Sequence, residues 1–197
     1  MSNPFDVLID SFLDNDIGID AGFLSESLSG GLQQHIRQLG EQENMIAAGI
    51  GNNNVKDASQ KMRSDKIYWL DKSHGNIFEQ EFLLQVEEFI SYLNQTCYTG
   101  INAYEFHYAV YDEGSFYKRH KDQFQNDNNR KYSLINYLNE NWLEEDGGQL
   151  LVYPESGVRK IQPHAQTAVF FNSQEMEHEV TPANRQRMSI TGWLKQV

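Results

Sequence analysis

The sequence predicts one domain in which a helical N-terminal layer supports a β-rich C-terminal core. Three observations indicate this class. The length of 197 residues suits a single domain with a sizeable core. The first half contains two segments with apolar residues at three- and four-residue steps, which is typical of amphipathic helices. The second half contains short runs rich in Val, Ile, Tyr, Phe and Thr, which favours a sandwich, jelly roll or barrel.

Two helices are predicted in the first hundred residues. The first, in "DAGFLSESLSGGLQQHIRQLG", has its apolar face at Leu24, Leu28, Leu32, Ile36 and Leu39. The adjacent Gly30 and Gly31 weaken the middle of this helix, because glycine lowers helix propensity. The second, in "EQEFLLQVEEFISYLNQT", has its apolar face at Leu83, Val86, Ile90 and Leu93.

The strand predictions rest on short apolar runs bounded by turn residues. The polar, Asn-rich stretch "GIGNNNVKDASQKMRSDK" predicts an exposed mobile loop, and "KIYWL" at its end predicts a strand. Further strands are predicted in "YEFHYAVY", "YSLINYLN", "GQLLVYP", "TAVFFN" and "MSITGWL". His107, in "YEFHYAVY", is expected to be a packed or hydrogen-bonded strand histidine. Without a repeat or a clear linker, residues 1–197 form one predicted domain, in which residues 1–100 support a core of residues 101–197.

The composition argues against several classes of function. The net charge of −12 argues against a general nucleic-acid binder, because phosphate contacts need clustered Lys and Arg. Cys97 is the only cysteine, which excludes an intrachain disulfide and a thiolate-rich zinc site and favours a reducing compartment. We recognise no signal peptide and no apolar segment of membrane length. We therefore expect a cytoplasmic protein without a membrane partner.

The stretch "SFYKRHKDQF" contains a candidate metal pair. His120 and Asp122 share a face if the chain is extended there, because side chains alternate along a strand. A His-x-Asp pair alone is a weak signal, since such a pair is usually a solvated surface pair. His178, in "EMEHEVTPA", follows a buried-looking strand and offers a third ligand. Two His and one carboxylate form the facial triad of non-haem Fe(II) oxygenases, which leaves positions open for a cosubstrate and O2.

An arginine near the C-terminus extends this interpretation. Alternation in "RQRMSITGWLK" places Arg187, Ser189 and Thr191 on one face. If that face is inward, Arg187 is a buried cation that needs an anion. A guanidinium binds a carboxylate through two parallel hydrogen bonds, so a dicarboxylate cosubstrate could bridge the metal and Arg187. A surface position or a structural ion pair is the alternative for this arginine.

Five ordered segments carry a resemblance to a known family. They are "RSDKIYWL", "YDEGSFYKRHKD", "NYLNENWLEEDGGQLLVYPE", "VFFNSQEMEHEVTPA" and "RMSITGW". In these segments, which run from Arg63 to Trp193, the chain resembles the 2-oxoglutarate- and Fe(II)-dependent dioxygenases. The resemblance is strongest to the prolyl 4-hydroxylase family. Within this family the chain resembles a bacterial relative of the oxygen-sensing prolyl hydroxylases. It implies a double-stranded β-helix (jelly-roll) core, α+β or mainly β in class, supported by N-terminal helices.

The resemblance implies a metal-centred reaction in which no side chain need act as the primary acid, base or nucleophile. The implied iron ligands are His120, Asp122 and His178. The residues implied around 2-oxoglutarate are Arg187, Tyr137, Thr191 and Tyr111. The implied cofactors are Fe(II), 2-oxoglutarate, O2 and L-ascorbate. A prolyl residue of a protein substrate would be hydroxylated while 2-oxoglutarate is decarboxylated to succinate and CO2.

The resemblance also implies a substrate side. The implied residues are Arg63, Asp65, Trp69, Arg130 and Trp193, with Asp65 near Arg130 as an ion pair. Residues 49–61 would form a flexible finger that folds over a proline-containing peptide or protein.

Three other functions stay open at this point. The chain could be an oxygenase that acts on a small molecule or on another residue type, although the finger and the "RSDKIYW" segment favour a peptide. It could be a non-catalytic jelly-roll module that binds or senses a ligand, although the triad and Arg187 are intact. A zinc hydrolase could also use two His and one Asp, but no His-Glu-x-x-His motif is present. The target protein and the oligomeric state are not specified by the sequence.

Overall fold

The computed structural model describes residues 3–49, 62–122 and 129–197. In this part of the chain the helices are Asp6–Asn15 (α1), Glu26–Glu41 (α2) and Ile77–Cys97 (α3). The strands are Ile17–Asp20 (β1), Ile46–Ala47 (β2), Lys66–Trp69 (β3), Ala103–Tyr111 (β4), Tyr117–His120 (β5), Arg130–Tyr137 (β6), Leu150–Val152 (β7), Arg159–Ile161 (β8), Ala168–Asn172 (β9), His178–Val180 (β10) and Arg187–Lys195 (β11). Most of the expected finger, residues 50–61, lies outside the described residues.

Helices α2 and α3 form where the apolar spacing predicts them. Each begins at a polar residue that caps free backbone N–H groups. The Ser25 hydroxyl accepts a hydrogen bond from the Leu28 N–H, and the Asn76 side chain accepts from the N–H groups of Phe78 and Glu79. Helix α2 continues through both glycines because tertiary packing outweighs their low helix propensity.

Helix α1 is not predicted from the sequence. A helix of ten residues is marginal on its own, so its stability must come from packing rather than from its sequence pattern. Leu8 and Ile9 are buried, and the Phe12 ring lies edge-on to Phe170 of β9 with 5.1 Å between ring centres. The helix thus covers one end of the sheet to which β1 also belongs.

The strands form two antiparallel sheets. The larger has seven strands in the order β1-β9-β6-β11-β4-β3-β2, and the smaller has four in the order β5-β10-β7-β8. Apolar side chains from both sheets share one buried cluster, in which Ile135 and Val169 meet Leu150 and Val152. This face-to-face arrangement confirms the predicted double-stranded β-helix core with helices behind it.

The larger sheet has two different faces because side chains alternate along each strand. On β4 and β11 one set of residues, which includes Phe106 and Ile190, packs against the helices. The opposite set, which includes Tyr111 and Arg187, faces the cavity between the sheets. Although β1 to β3 come from the first hundred residues, they also join this sheet. None of the helices in the described ranges is long and apolar enough to cross a membrane.

The two neighbouring glycines of α2 allow a matched test of this packing. We expect Gly30→Ala to raise the free energy of unfolding by about 0.5–1 kcal/mol, because its added methyl group would meet nothing within 4 Å. We expect Gly31→Ala to lower it by about 1–3 kcal/mol, because that methyl carbon would lie 2.3 Å from ring atoms of Phe78. Urea unfolding of both variants measures the difference. A similar stabilisation by both substitutions would contradict the packing of Gly31 on Phe78.

Candidate metal centre and adjoining chambers

The structure brings His120, Asp122 and His178 together. His120 ends β5, Asp122 follows two residues later, and His178 opens β10, where it pairs directly with His120 across the smaller sheet. One ligand atom from each residue lies within 4.8 Å of the other two. The pairing of β5 with β10 therefore brings together side chains that are 58 residues apart in sequence, His120 and His178.

Both imidazoles are held in the orientation that a metal requires. The Nδ1 atom of His120 lies 2.8 Å from the Lys118 carbonyl oxygen, and that of His178 lies 3.2 Å from the Met176 carbonyl oxygen. A carbonyl oxygen can only accept, so each Nδ1 carries the proton and each Nε2 keeps its lone pair. These Nε2 atoms lie 3.3 and 3.5 Å from the oxygens of Asp122. The donor set thus fits a cation such as Fe(II).

The carboxylate of the cluster is held by hydroxyl groups. Ser133 donates a hydrogen bond of 2.7 Å to Oδ2 of Asp122, and its oxygen lies 2.8 Å from the Ser173 hydroxyl. Burial alone would raise the pKa of Asp122, but the nearby His178 and His120 and the Ser133 hydroxyl hold that pKa well below its usual range. Burial lowers the pKa of His178 despite the nearby carboxylate. A charged carboxylate and a neutral imidazole are the forms that bind a metal.

Arg187 is a buried cation on β11, with 1% of its surface exposed. Its Nε donates to the Gly148 carbonyl oxygen at 2.9 Å, and no carboxylate within the described ranges forms an ion pair with it. Its guanidinium carbon lies 4.9 Å from the ring centre of Tyr111 and 5.0 Å from that of Tyr137. The buried Tyr137 hydroxyl also has no hydrogen-bond partner among the residues that the structure describes. Arg187 and Tyr137 thus offer donors to an anion.

Two adjoining cavities meet at the metal-binding cluster. The inner chamber is the cavity whose wall includes Arg187, Tyr111 and Thr191. The outer chamber is the cavity whose wall includes Trp69, Lys121 and Arg130. Residues that line both chambers are Arg63, His107, Tyr117, His120, Asp122 and Trp193.

Tyr137 is not part of either lining, although its ring lies beside Arg187.

The ion pair expected between Asp65 and Arg130 is not the one that the structure shows. Asp65 accepts hydrogen bonds of 2.7 and 2.5 Å from Nε and Nη2 of Arg63. Arg130 donates to Glu105 at 2.7 Å and lies over the ring of Trp193, with its guanidinium carbon 3.4 Å from the ring centre. Arg63 and Asp65 are two residues apart, so an extended chain directs both to one face. This local pairing could have been read from the sequence.

His107 lies among the cavity residues, a position that the sequence analysis does not predict. Its side chain is buried between Trp69, at 5.0 Å between ring centres, and Trp193, at 5.4 Å. The residue lies on β4 four positions before Tyr111, so both side chains face the cavity. The same alternation that assigns Arg187 and Thr191 to one face would have found it.

The chain is similar in sequence and structure to known oxygenases. The family model described as "2OG-Fe(II) oxygenase superfamily" matches residues 106–195. Human Egl nine homolog 1 is 30% identical over 149 residues, which cover 70% of this chain and 34% of that protein. A Pseudomonas putida prolyl-4-hydroxylase crystal structure is 31% identical with a TM-score of 0.86, over 96% of this chain and 97% of that one. A Trichoplax adhaerens prolyl hydroxylase, solved with a hypoxia inducible factor peptide fragment, is 28% identical with a TM-score of 0.86, over 97% of this chain and 88% of that one.

The fold, the His/Asp/His cluster and these similarities define the chain as a 2-oxoglutarate/Fe(II)-dependent oxygenase. Within that superfamily it belongs to the prolyl 4-hydroxylase family, as the sequence predicts. Membership implies Fe(II), 2-oxoglutarate and O2 as cofactor and cosubstrates. The chain spans only 34–43% of the length of the Egl nine homologs that it matches.

The burial of His107 generates a prediction about stability at acidic pH. Burial lowers its pKa from 6.5 to about 4, with Arg63 and Arg130 adding to the shift and Asp65 and Asp122 opposing it. As pH falls below 6.5, His107 in the unfolded chain therefore binds a proton, whereas His107 in the folded protein stays neutral until about pH 4. We expect the contribution of His107 to the free energy of unfolding to be fully present above pH 6.5. By pH 4 this contribution should fall by up to about 3 kcal/mol, at about 1.4 kcal/mol per pKa unit.

Urea unfolding above pH 6.5 and near pH 4 measures this loss, with His107→Phe as the control that removes the titrating group. Burial also lowers the pKa of His178, and its contribution to acid sensitivity is common to both proteins, so only the difference between them reports on His107. Equal acid sensitivity of the two proteins would contradict a neutral, buried His107.

Proposed function

We propose that this chain is a 2-oxoglutarate- and Fe(II)-dependent dioxygenase that hydroxylates a prolyl residue in a protein or peptide. The observation that carries the proposal is the buried Arg187, which has no acidic partner among the described residues and lines the same chamber as the His120, Asp122 and His178 cluster. A buried, unpaired cation is costly unless an anion binds it. A dicarboxylate that reaches from the cluster to Arg187 meets both requirements.

The proposed roles follow from the donors that each residue offers. His120, Asp122 and His178 would hold the iron through two Nε2 atoms and a carboxylate oxygen. Arg187 and the Tyr137 hydroxyl would bind the distal carboxylate of 2-oxoglutarate, while Tyr111 and Thr191 would line its chamber. When bound, iron and 2-oxoglutarate supply the oxidising chemistry with O2, in which 2-oxoglutarate becomes succinate and CO2 and the substrate gains a hydroxyl group.

The protein's own contribution is to position the reactants and to exclude water. Tyr111 and Tyr137 enclose the guanidinium of Arg187, so its charge acts in a dry environment where electrostatic attraction is strong. Ser133 restrains Asp122, and the carbonyl groups behind His120 and His178 fix their rings. These contacts pre-organise the site before either ligand arrives.

The outer chamber is the proposed substrate side. Trp69 and Trp193 are 6.4 Å apart between ring centres, and Trp69 is 43% exposed at the rim. Arg130 lies over Trp193, and Arg63, which pairs with Asp65, also lines this chamber. Aromatic walls suit the apolar ring of proline. The named relatives support a peptide substrate, since the Trichoplax adhaerens enzyme was solved with a peptide fragment.

Two accessory features belong to the same proposal. L-Ascorbate would keep the iron ferrous, as the family resemblance implies. The single cysteine, Cys97, is free and exposed, which suits a reducing compartment such as the cytoplasm.

The central test uses Fe(II), 2-oxoglutarate and ascorbate with a peptide library in which one central proline is fixed and the flanking positions vary. We expect succinate formation to rise when the library is added, together with a mass gain of one oxygen atom on proline-containing peptides. A matched library with alanine at the fixed position is the control. Equal succinate with both libraries, without any oxygen gain, would contradict prolyl hydroxylation.

The metal assignment predicts the effect of removing the carboxylate. We expect Asp122→Ala to reduce succinate formation more than about 100-fold. Asp122 is itself a proposed metal ligand, and losing a ligand costs more than losing a residue that only orients one. Calorimetry with Mn(II), in the absence of turnover, should show a matching loss of metal affinity. Asp112→Ala is the control, since Asp112 pairs with Lys66 on the surface. Unchanged metal affinity in the Asp122 variant would reject the assignment.

The anion assignment predicts a different effect for the arginine. We expect Arg187→Ala to raise the KM for 2-oxoglutarate about 100-fold or more, because two charge-assisted hydrogen bonds are lost. Metal affinity should change little, which separates this variant from Asp122→Ala. Arg185→Ala is the matched control, because Arg185 is exposed on the Trp142 ring outside both chambers. An unchanged KM in the Arg187 variant would refute the proposed carboxylate site.

A further inference from the structure

His107 lies at the boundary between the two chambers. It pairs directly with Trp69 of β3 on one side and with Thr191 of β11 on the other. Directly opposed residues of an antiparallel sheet point to the same face, so these three side chains form a row across the sheet. One end of the row is the exposed rim of the outer chamber, and the other end is in the wall of the inner chamber.

The imidazole of His107 has an unused polar atom. Its side chain is only 2% exposed, and its Nδ1 atom has no hydrogen-bond partner among the residues that the structure describes. A buried polar atom without a partner is unfavourable and is rare in folded proteins. Trp69 and Trp193 hold the ring from two directions, so it cannot easily turn away to find water. The arrangement is explained if a ligand supplies the missing partner.

The protonation state of His107 limits what that partner is. Burial lowers its pKa to about 4, so the ring is neutral near pH 7 and offers one N–H donor and one acceptor. A prolyl residue has no backbone N–H group. The polar main-chain atoms next to its ring are therefore carbonyl oxygens, which only accept hydrogen bonds. A neutral imidazole can satisfy such an oxygen without adding a further positive charge beside the metal-binding cluster.

We propose that His107 is a substrate-binding residue whose ring N–H donates a hydrogen bond to a main-chain carbonyl of the target prolyl residue. This inference rests on the proposed function. The hydrogen bond fixes the depth at which the prolyl unit enters, while Trp69 and Trp193 contact its apolar ring.

Two substitutions separate the hydrogen bond from the packing. His107→Asn retains an amide N–H near the position of Nδ1 but loses the aromatic ring. His107→Phe retains an aromatic ring between Trp69 and Trp193 but loses the donor. The same two substitutions at the exposed His164, which is outside both chambers, are the matched controls.

The probe is the fixed-proline peptide library, and the readout is the oxygen gain on proline, measured as kcat/KM for the pooled peptides. We expect His107→Phe to lower this value about tenfold or more, because the substrate carbonyl loses its donor. We expect the kcat/KM of His107→Asn to be at least about tenfold higher than that of His107→Phe, because the asparagine amide keeps the hydrogen bond that phenylalanine cannot make. Calorimetry of 2-oxoglutarate with the Mn(II)-loaded variants is a second readout, which reports whether the inner chamber is intact.

The outcomes distinguish this inference from the function on which it rests. If the wild-type protein hydroxylates no library peptide, the proposed function fails and the role of His107 falls with it. If the wild-type protein hydroxylates peptides and His107→Phe equals or exceeds His107→Asn, the proposed function stands and the hydrogen bond is rejected. Loss of 2-oxoglutarate binding in both variants, in parallel with the loss of hydroxylation, would assign His107 a structural role instead.

Discussion

The two-sided pairing of β11 is the constraint on which the rest of the structure depends. This strand is hydrogen-bonded to β4 over its whole length and to β6 over most of it, so its register is held from both sides. Met188 and Ile190 therefore pack against the helices, while Arg187 and Thr191 face the cavity. A slip of one residue would place a guanidinium in the apolar core and a thioether in the cavity. The apolar cluster behind the sheet thus fixes the position of the polar groups in front of it.

The pairing of β11 on both sides also makes the inner chamber possible. Burying Arg187, which has no acidic partner among the residues that the structure describes, costs free energy. The apolar residues on the opposite faces of β4 and β6 offset that cost. These strands also supply Tyr111 and Tyr137, whose rings enclose the guanidinium. Donors that have no partner among the described residues are available to a bound ligand. The proposed anion contact at Arg187 and the proposed carbonyl contact at His107 rest on this one principle.

The elements that could be predicted are those whose pattern is local. Short runs rich in Val, Ile, Tyr, Phe and Thr predict β4, β6 and β11, and apolar spacing of three and four residues predicts α2 and α3. Helix α1 escapes prediction because its ten residues depend on contacts with β1 and β9. The predicted ion pair between Asp65 and Arg130 was wrong. Arg63, two residues before Asp65, donates hydrogen bonds to the Asp65 carboxylate instead. His107 was expected to be a packed strand residue, and it is packed, but within the chamber wall.

The sequence by itself determined the residue types of the site, the strands that carry Tyr111, Tyr137 and Arg187 and, through its resemblance, the family. Strands β5 and β10, which carry His120 and His178, were not predicted. Alternation along a strand is a property of the chain, so it assigns Arg187 and Thr191 to one face from the sequence alone. Only the tertiary structure decided which distant residues meet. The register of β10 on β5 places His178 beside His120, and the contact of the two sheets encloses both chambers. Those distances depend on packing between elements far apart in sequence, which no local pattern encodes.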